Sequence, residues 1–492
     1  MRLTIYNQIN DMIETLMEAV NYMIENNNKN VIEELLTNSQ LVLASIDEAL
    51  THNTDSIKDP IIIEHLQKCT NIVKELKATD SLQRDVQLQA FDSKVKQLQI
   101  MFHEYVNYKI RVVFFAELGQ KWDAMNSVYK AFMDRDDCEV RVVLTPIFRR
   151  VNIDGETKTD VIYEDYLTDL GIDFLHYKEY DISKDLPDMA FISNPYESVT
   201  IKDFWPENIA KYTRLVYIPY FTSLSISNNT IEFISKMPFT VHAWKIIQQT
   251  DALKDLYKKY SAKKGKNVIV SDLPKWDELN KVSTENIKPE FTRLKENNQK
   301  VFLWNTHYTV GSPKSTLIYY GLELLEHFKN RLDISLIWRP HPMTETVLNL
   351  YSPEYLNIWN QMIDIVNRSE NIVIDENSSY KQAFAVSDAL ISDYSSLIAE
   401  YLYIQKPILF LKNDKTDPFL NDRDFMIPVS KLSHAYEFKD IEKFVEKVST
   451  DRNFAEAFKK NIEQDIPQLT GKVGKLLSDN LIDLLVNEMK DE

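Results

Sequence analysis

"SDALISDYSSLIAEYLYIQKPILFL" runs from Ser387 to Leu411. Ala389 to Ile391 reads as a short apolar strand. Asp393-Tyr394-Ser395-Ser396 follows, then an amphipathic helix, then a second apolar strand after Lys406-Pro407. Strand, crossover helix and strand make the unit of a parallel sheet buried on both faces. The strand-to-helix junction contains no glycine. Asp393 or Ser395 is placed to cap the helix, and the hydroxyls of Ser395 and Ser396, with the free N–H groups of the first turn, suit a diphosphate. Glu400 stands one turn beyond Ser396 on the same helix face, where a carboxylate accepts from ribose hydroxyls.

The same pattern repeats on both sides of this stretch. Apolar runs at 267–271, 300–304, 334–338, 371–375, 389–392 and 407–411 alternate with helical segments. An earlier series lies at 111–116, 139–144, 172–177, 188–193 and 214–219. Between the two series, residues 241–266 read as one long helix ending on Gly265, a C-cap and boundary. Before the first series, Ile9, Met12, Ile13, Leu16, Met17, Val20, Met23 and Ile24 recur at helical spacing, as do Val31, Ile32, Leu35, Leu36, Leu43, Ile46 and Leu50. The expected fold class is α/β: two Rossmann-like doubly wound domains preceded by an α-helical domain. The expected limits are 1–108 for the helical domain, 109–262 and 263–435 for the two Rossmann-like domains, and 436–492 for helices packing back on the core.

Composition narrows the function. A net charge of −17 argues against a nucleic-acid partner. Two cysteines, Cys69 and Cys138, make neither a disulfide framework nor a zinc pattern and fit a reducing cytoplasm. Glycine occurs eight times in 492 residues, far below the ordinary ~7%, so neither a dinucleotide fingerprint nor a P-loop is available. No spacing of His, Asp or Glu demands a metal, and no cofactor is implied.

Polar groups collect instead at the ends of several strands. "IWRPHP" places Arg339 and His341 after one strand, "FLWNTHYT" places Asn305, Thr306 and His307 after another, and "VSDLPKWDEL" places Lys275 and Asp277 after a third. Ligands of open parallel sheets sit at such carboxyl ends.

Taken in order, "LPKWD", "LWNTHYT", "RPHP" and "DALISDYSSLIAEYLYIQKPILF" resemble the CDP-glycerol glycerophosphotransferase family of teichoic-acid synthesis, strongly over about 267–411 and weakly over about 111–244. The resemblance implies the glycosyltransferase-B fold, with nucleotide in the C-terminal Rossmann-like domain and acceptor toward the N-terminal one. It assigns phosphate contacts to Ser395, Ser396, His341 and Arg339 and a ribose contact to Glu400; Thr306, His307 and Asp393 complete the candidate donor site. The implied activity moves a glycerol-phosphate or related polyol-phosphate group from a CDP-activated donor to a hydroxyl of a glycan or teichoic-type acceptor. Its rivals are a nucleotide-sugar glycosyltransferase of the same fold and a non-catalytic partner subunit. The chain departs from the family at its His-Gly-Thr-Pro motif, which here reads "LVYIPYFTSL" with no histidine. Candidate bases are then Glu117, His242 and Tyr220, with His341 as a further catalytic group. The lysines at 258, 259, 263, 264 and 266 suit an anionic acceptor or lipid surface. The expected location is the cytoplasm, at the inner face of the cell membrane, with oligomer contacts through the N-terminal helices.

Overall fold

A computed structural model describes residues 1–26, 28–78, 84–153, 156–162, 166–223, 229–279, 287–295, 299–377, 379–412, 427, 429–466 and 469–491. The chain divides into two compact units. One holds Met1–Val112, Phe132–Val140 and Asp479–Glu492; the other holds Val113–Ala131 and Arg141–Ser478.

The first unit is built on four helices, α1 (Leu3–Glu25), α2 (Lys29–Thr51), α3 (Ile61–Ala78) and α4 (Arg84–Tyr105). Each packs on the next, and α4 returns to α1. The periodic positions are the buried ones: Ile9, Ile13, Leu16, Val20 and Met23 on α1, and Leu88, Phe91, Val95, Leu98 and Phe102 on α4. A single apolar stripe per helix closes the four into a ring around one core.

The second unit carries most of two parallel sheets. The first consists of β1 (Ile110–Ala116), β2 (Cys138–Leu144), β5 (Leu175–His176), β6 (Met189–Ile192), β7 (Arg214–Tyr217), β8 (Lys245–Gln248) and β9 (Val268–Val270), in the spatial order β5-β2-β1-β6-β7-β8-β9. An antiparallel hairpin, β3 (Ile147–Ile153) and β4 (Glu156–Ile162), leaves the carboxyl end of β2. The second sheet consists of β10 (Lys300–Thr306), β11 (Ile334–Pro340), β12 (Ile372–Ile374), β13 (Ala389–Ser392), β14 (Ile408–Leu411) and β15 (Ser433–Ala435), in the order β12-β11-β10-β13-β14-β15. The strand order reverses at β1/β6 in the first sheet and at β10/β13 in the second. Each reversal leaves a crevice at the carboxyl ends. In the second sheet Leu303, Ile337 and Leu390 enter one apolar cluster, while Phe302, Trp304, Trp338 and Ile391 enter another. Alternate residues thus fill cores on both faces, as a doubly covered sheet requires.

Several expectations are corrected. Residues 241–266 are not one helix: β8 interrupts them, and the helix that follows, Asp251–Tyr260, ends ahead of Gly265. Gly265 is not its C-cap but a turn residue at φ +67° leading into β9. The run at 267–271, expected to open the second sheet, pairs with β8 and closes the first. The run at 172–177 shortens to the two residues of β5, and neither the β3–β4 hairpin nor β15 was expected. "KIIQ" offers only two apolar residues between helical flanks, so its strand character comes from pairing and not from its own pattern.

Candidate functional site

Parallel register places the candidate residues in rows across the second sheet. Asn305 pairs with Arg339 on one side and Ser392 on the other; one step further along, Thr306 pairs with Pro340. His307, His341 and the Asp393–Ser396 junction emerge from the same carboxyl edge at the β10/β13 reversal.

Asp393 is fully buried and organises this edge. One carboxylate oxygen accepts from the backbone N–H of His307 at 2.9 Å; the other accepts from the N–H of Thr316 at 3.0 Å and from the Thr316 hydroxyl. Burial raises its pKa to about 6, against the pull of these hydrogen bonds. Asp393 therefore clamps the 307–316 loop and does not cap the helix. Ser395 is the cap: its Oγ accepts from Leu397 N at 3.2 Å, at the head of helix Ser396–Tyr403. Ser395 and Ser396 are only partly buried, so the positive end of this helix faces outward at the strand ends.

Tyr308 lies between two histidines, with ring centroids 4.7 Å from both His307 and His341. His307 Nδ1 accepts from Thr309 N at 3.1 Å, and His341 Nδ1 accepts from Met343 N at 3.1 Å. A backbone N–H two residues on fixes the same tautomer in both, so each neutral ring offers its Nε2–H. Lost hydration lowers the pKa of His307 to about 3, with His341 and Lys314 adding to it, and that of His341 to about 4, with Arg339 adding to it. His341 is nevertheless exposed to solvent, so its shift is weaker than that of the half-buried His307. Arg339, 8% exposed, is held by Asp375 at 2.6 Å and by the carbonyl of Asn377 at 2.8 Å. Thr306 is buried, and among the described residues its Oγ1 has no hydrogen-bond partner.

Glu400 takes a position the sequence did not suggest. It is fully buried, and its Oε1 lies 2.6 Å from Lys275 Nζ, which is itself buried and donates to the carbonyl of Tyr220 at 2.8 Å. The Thr222 hydroxyl donates to the same Oε1 at 3.3 Å. Lys381 bridges Asp123 at 2.8 Å and Glu278 at 3.4 Å. Asp277, the last residue of "LPKWD", accepts from Val473 N and Gly474 N at the start of helix Val473–Asp491.

On the side of the first sheet, Glu117 follows the carboxyl end of β1. It pairs with Lys121 at 2.6 Å and accepts from Asn194 Nδ2 at 3.0 Å on both oxygens. Burial raises the pKa of Tyr196 and Tyr220, with Tyr308 among the lesser causes for both and Glu117 for Tyr220. The loops after β6 and β7 thus approach the loop after β10, and Tyr220 is further from acting as a base than an ordinary tyrosine. His242 precedes β8, at that strand's amino end, whereas Glu117 follows a carboxyl end. The structure thus brings together Ser395, Ser396, Thr306, His307, His341 and Asp393 on one edge, with Glu117 on the facing half. It encloses Glu400 and leaves His242 apart. Tyr308 and the Lys275–Glu400 pairing were missed. "NTHYT" held the first in plain view, while nothing local links positions 275 and 400.

Residues 315–464 match the family model for CDP-Glycerol:Poly(glycerophosphate) glycerophosphotransferase. A teichoic acid ribitol-phosphate primase of Bacillus spizizenii is 35% identical over 96 residues, 19% of this chain and 24% of that protein. A teichoic acid poly(glycerol phosphate) polymerase of the same organism is 27% identical over 202 residues, 38% of this chain and 46% of that one. The chain therefore spans less than half the length of each of these two curated relatives. Among solved structures, a variant of the wall teichoic acid polymerase TagF superposes with a TM-score of 0.50 at 12% identity, covering 87% of this chain and 99% of that one. A UDP-N-acetylglucosamine 2-epimerase does so at 0.50 and 13% identity, covering 76% and 96%. These likenesses show the glycosyltransferase-B fold.

Proposed function

We propose that this chain, whose residues 315–464 belong to the CDP-glycerol:poly(glycerophosphate) glycerophosphotransferase family, moves a glycerol-phosphate or related polyol-phosphate group from a CDP-activated donor to a hydroxyl of a teichoic-type acceptor. The observation that supports it best is that His307 and His341, on either side of Tyr308, follow the carboxyl edge of the same sheet as the Ser395-capped helix, with Asp393 of that junction holding the His307 backbone N–H. Such an edge supplies neutral donors and a helix dipole to a diphosphate without needing glycine.

In this reading the acceptor oxygen attacks the β-phosphorus. A new P–O bond forms, the bond from that phosphorus to the bridging oxygen breaks, and CMP leaves with the electron pair. His341 Nε2–H, Ser396 and the helix N-terminus bear on the charge gathering on the phosphates. Glu117 takes the acceptor's proton, which requires it to exchange its contact with Lys121 for the acceptor hydroxyl. Mixing the protein with CDP-glycerol tests the reading. Slow CMP release alone and rapid release with a glycerophosphate-primed acceptor are expected; turnover of a UDP-sugar with no response to CDP-polyols would overturn it.

The finer reading places the protein against an anionic membrane at the inner face of the cell. Lys236 and Lys259 flank the Tyr260 ring at 4.6 and 4.8 Å, and Phe233, three residues before Lys236, is exposed. Lysines over aromatics beside exposed apolar groups suit a lipid interface. Among the described residues no helix is long and apolar enough to cross a membrane. Co-flotation with anionic but not zwitterionic vesicles is the expected result. Oligomer formation through α1–α4 is judged by sedimentation of the intact chain.

A further inference from the structure

Lys275 sits in the segment that leaves β9, the last strand of the first sheet, on its way to the second. Its ammonium makes two contacts of different origin: the Glu400 carboxylate at 2.6 Å and the carbonyl of Tyr220 at 2.8 Å. Glu400 belongs to the second turn of helix Ser396–Tyr403; Tyr220 belongs to the loop after β7. Thr222 of that loop donates to Glu400 at 3.3 Å and accepts from Trp276 Nε1 at 3.4 Å. Both charges are nearly sealed from water, at 6% and 1% side-chain exposure. A buried pair of this kind is weak evidence for stability, because desolvation offsets its attraction; its best-attested use is to fix one arrangement over others.

We propose that Lys275 and Thr222 are positioning residues that lock the phosphate-facing helix to the loop after β7, so that donor and acceptor are held at one separation. The proposal rests on the transferase reading above and adds what sets the approach of its two substrates. Helix Ser396–Tyr403 cannot shift along its axis without drawing Glu400 from Lys275, and the 220–222 loop cannot swing out without taking the Tyr220 carbonyl from Lys275 and the Thr222 hydroxyl from Glu400. With the lock intact, the acceptor hydroxyl meets the β-phosphorus. With it loosened, the donor still binds and water still reaches it as before, but the acceptor hydroxyl meets the phosphorus less often.

Lys275→Met strands a buried carboxylate and is expected to unfold the chain, so Thr222→Val and Thr222→Ser carry the test. Thr222→Val is expected to bind CDP-glycerol within a factor of about two of the native protein. It should lower transfer to a glycerophosphate-primed acceptor by about tenfold or more. CMP release to water should stay as it was, so the ratio of transfer to hydrolysis falls; Thr222→Ser should restore that ratio. An unchanged ratio in Thr222→Val, or loss of CDP-glycerol binding in step with transfer, overturns the proposal. If the native protein does not bind CDP-glycerol, the donor assignment fails and hydrogen exchange decides the lock. Faster exchange in Thr222→Val over both 218–223 and 396–403 supports it; faster exchange over only one of them overturns it.

Discussion

Asp393, His307 and His341 titrate in overlapping ranges with opposite consequences. The histidines fall from 6.5 to about 3 and about 4. Between those values and 6.5 the unfolded chain binds more protons than the folded one. Their contribution to stability is thus complete above 6.5 and lost as pH falls. Asp393 rises from 3.8 to about 6. The folded chain holds its extra proton in that window, so this contribution is complete below 3.8 and lost as pH rises through 6. Urea unfolding between pH 4 and 6.5 should therefore show a shallower pH slope in His307→Ala and a steeper one in Asp393→Asn. The second variant also turns an amide N–H toward the N–H groups of His307 or Thr316, and should lose about 1–3 kcal/mol at pH 7. Donor binding should be linked to the same groups. A diphosphate beside His341 favours the charged ring, so calorimetry near pH 5 in buffers of different ionisation enthalpy should register proton uptake on CDP-glycerol binding, and less in His341→Ala.

At the scale of elements, the sequence was most legible where a segment carries its own pattern. The strands at β10, β11, β13 and β14 follow from apolar runs and the stripes of α1 and α2 from periodicity, while the cap was narrowed to Asp393 or Ser395 and the fold selects Ser395. β8, the sheet that β9 joins and the pairing of Lys275 with Glu400 did not, because a strand with only two apolar residues, a strand's choice of neighbour and a contact across 125 residues are decided by partners elsewhere in the chain. Lys406 shows the same limit. In the sequence it is the residue before a proline; in the fold its Nζ donates to the carbonyls of Phe384, Ala385 and Ser387 at 2.8, 3.1 and 2.6 Å, closing the C-terminus of helix Lys381–Val386. Burial lowers its pKa to about 8. Lys406→Met should leave those carbonyls unpartnered and cost about 1–3 kcal/mol. It should also loosen the helix that carries Lys381 to Asp123 and Glu278. Faster hydrogen exchange over 381–387 would register this, and native exchange there would dismiss it.

On the scale of the whole molecule, the order of the second sheet has a consequence for how the chain is made. β11 and β12 follow β10 directly and build outward to one edge, but the partner on β10's other side is β13, with Asn305 meeting Ser392 across 87 residues. A chain emerging from the ribosome thus displays β10 with one row of N–H and C=O groups unpaired, beside Phe302 and Trp304, until β13 is delivered. An open apolar strand edge is a template for another copy of itself. A chain stopped at Val386 should precipitate or form oligomers in light scattering at concentrations where the full chain stays dispersed. The interval before β13 appears is then when this protein most needs a chaperone, and slowing translation over 306–388 should lower its soluble yield.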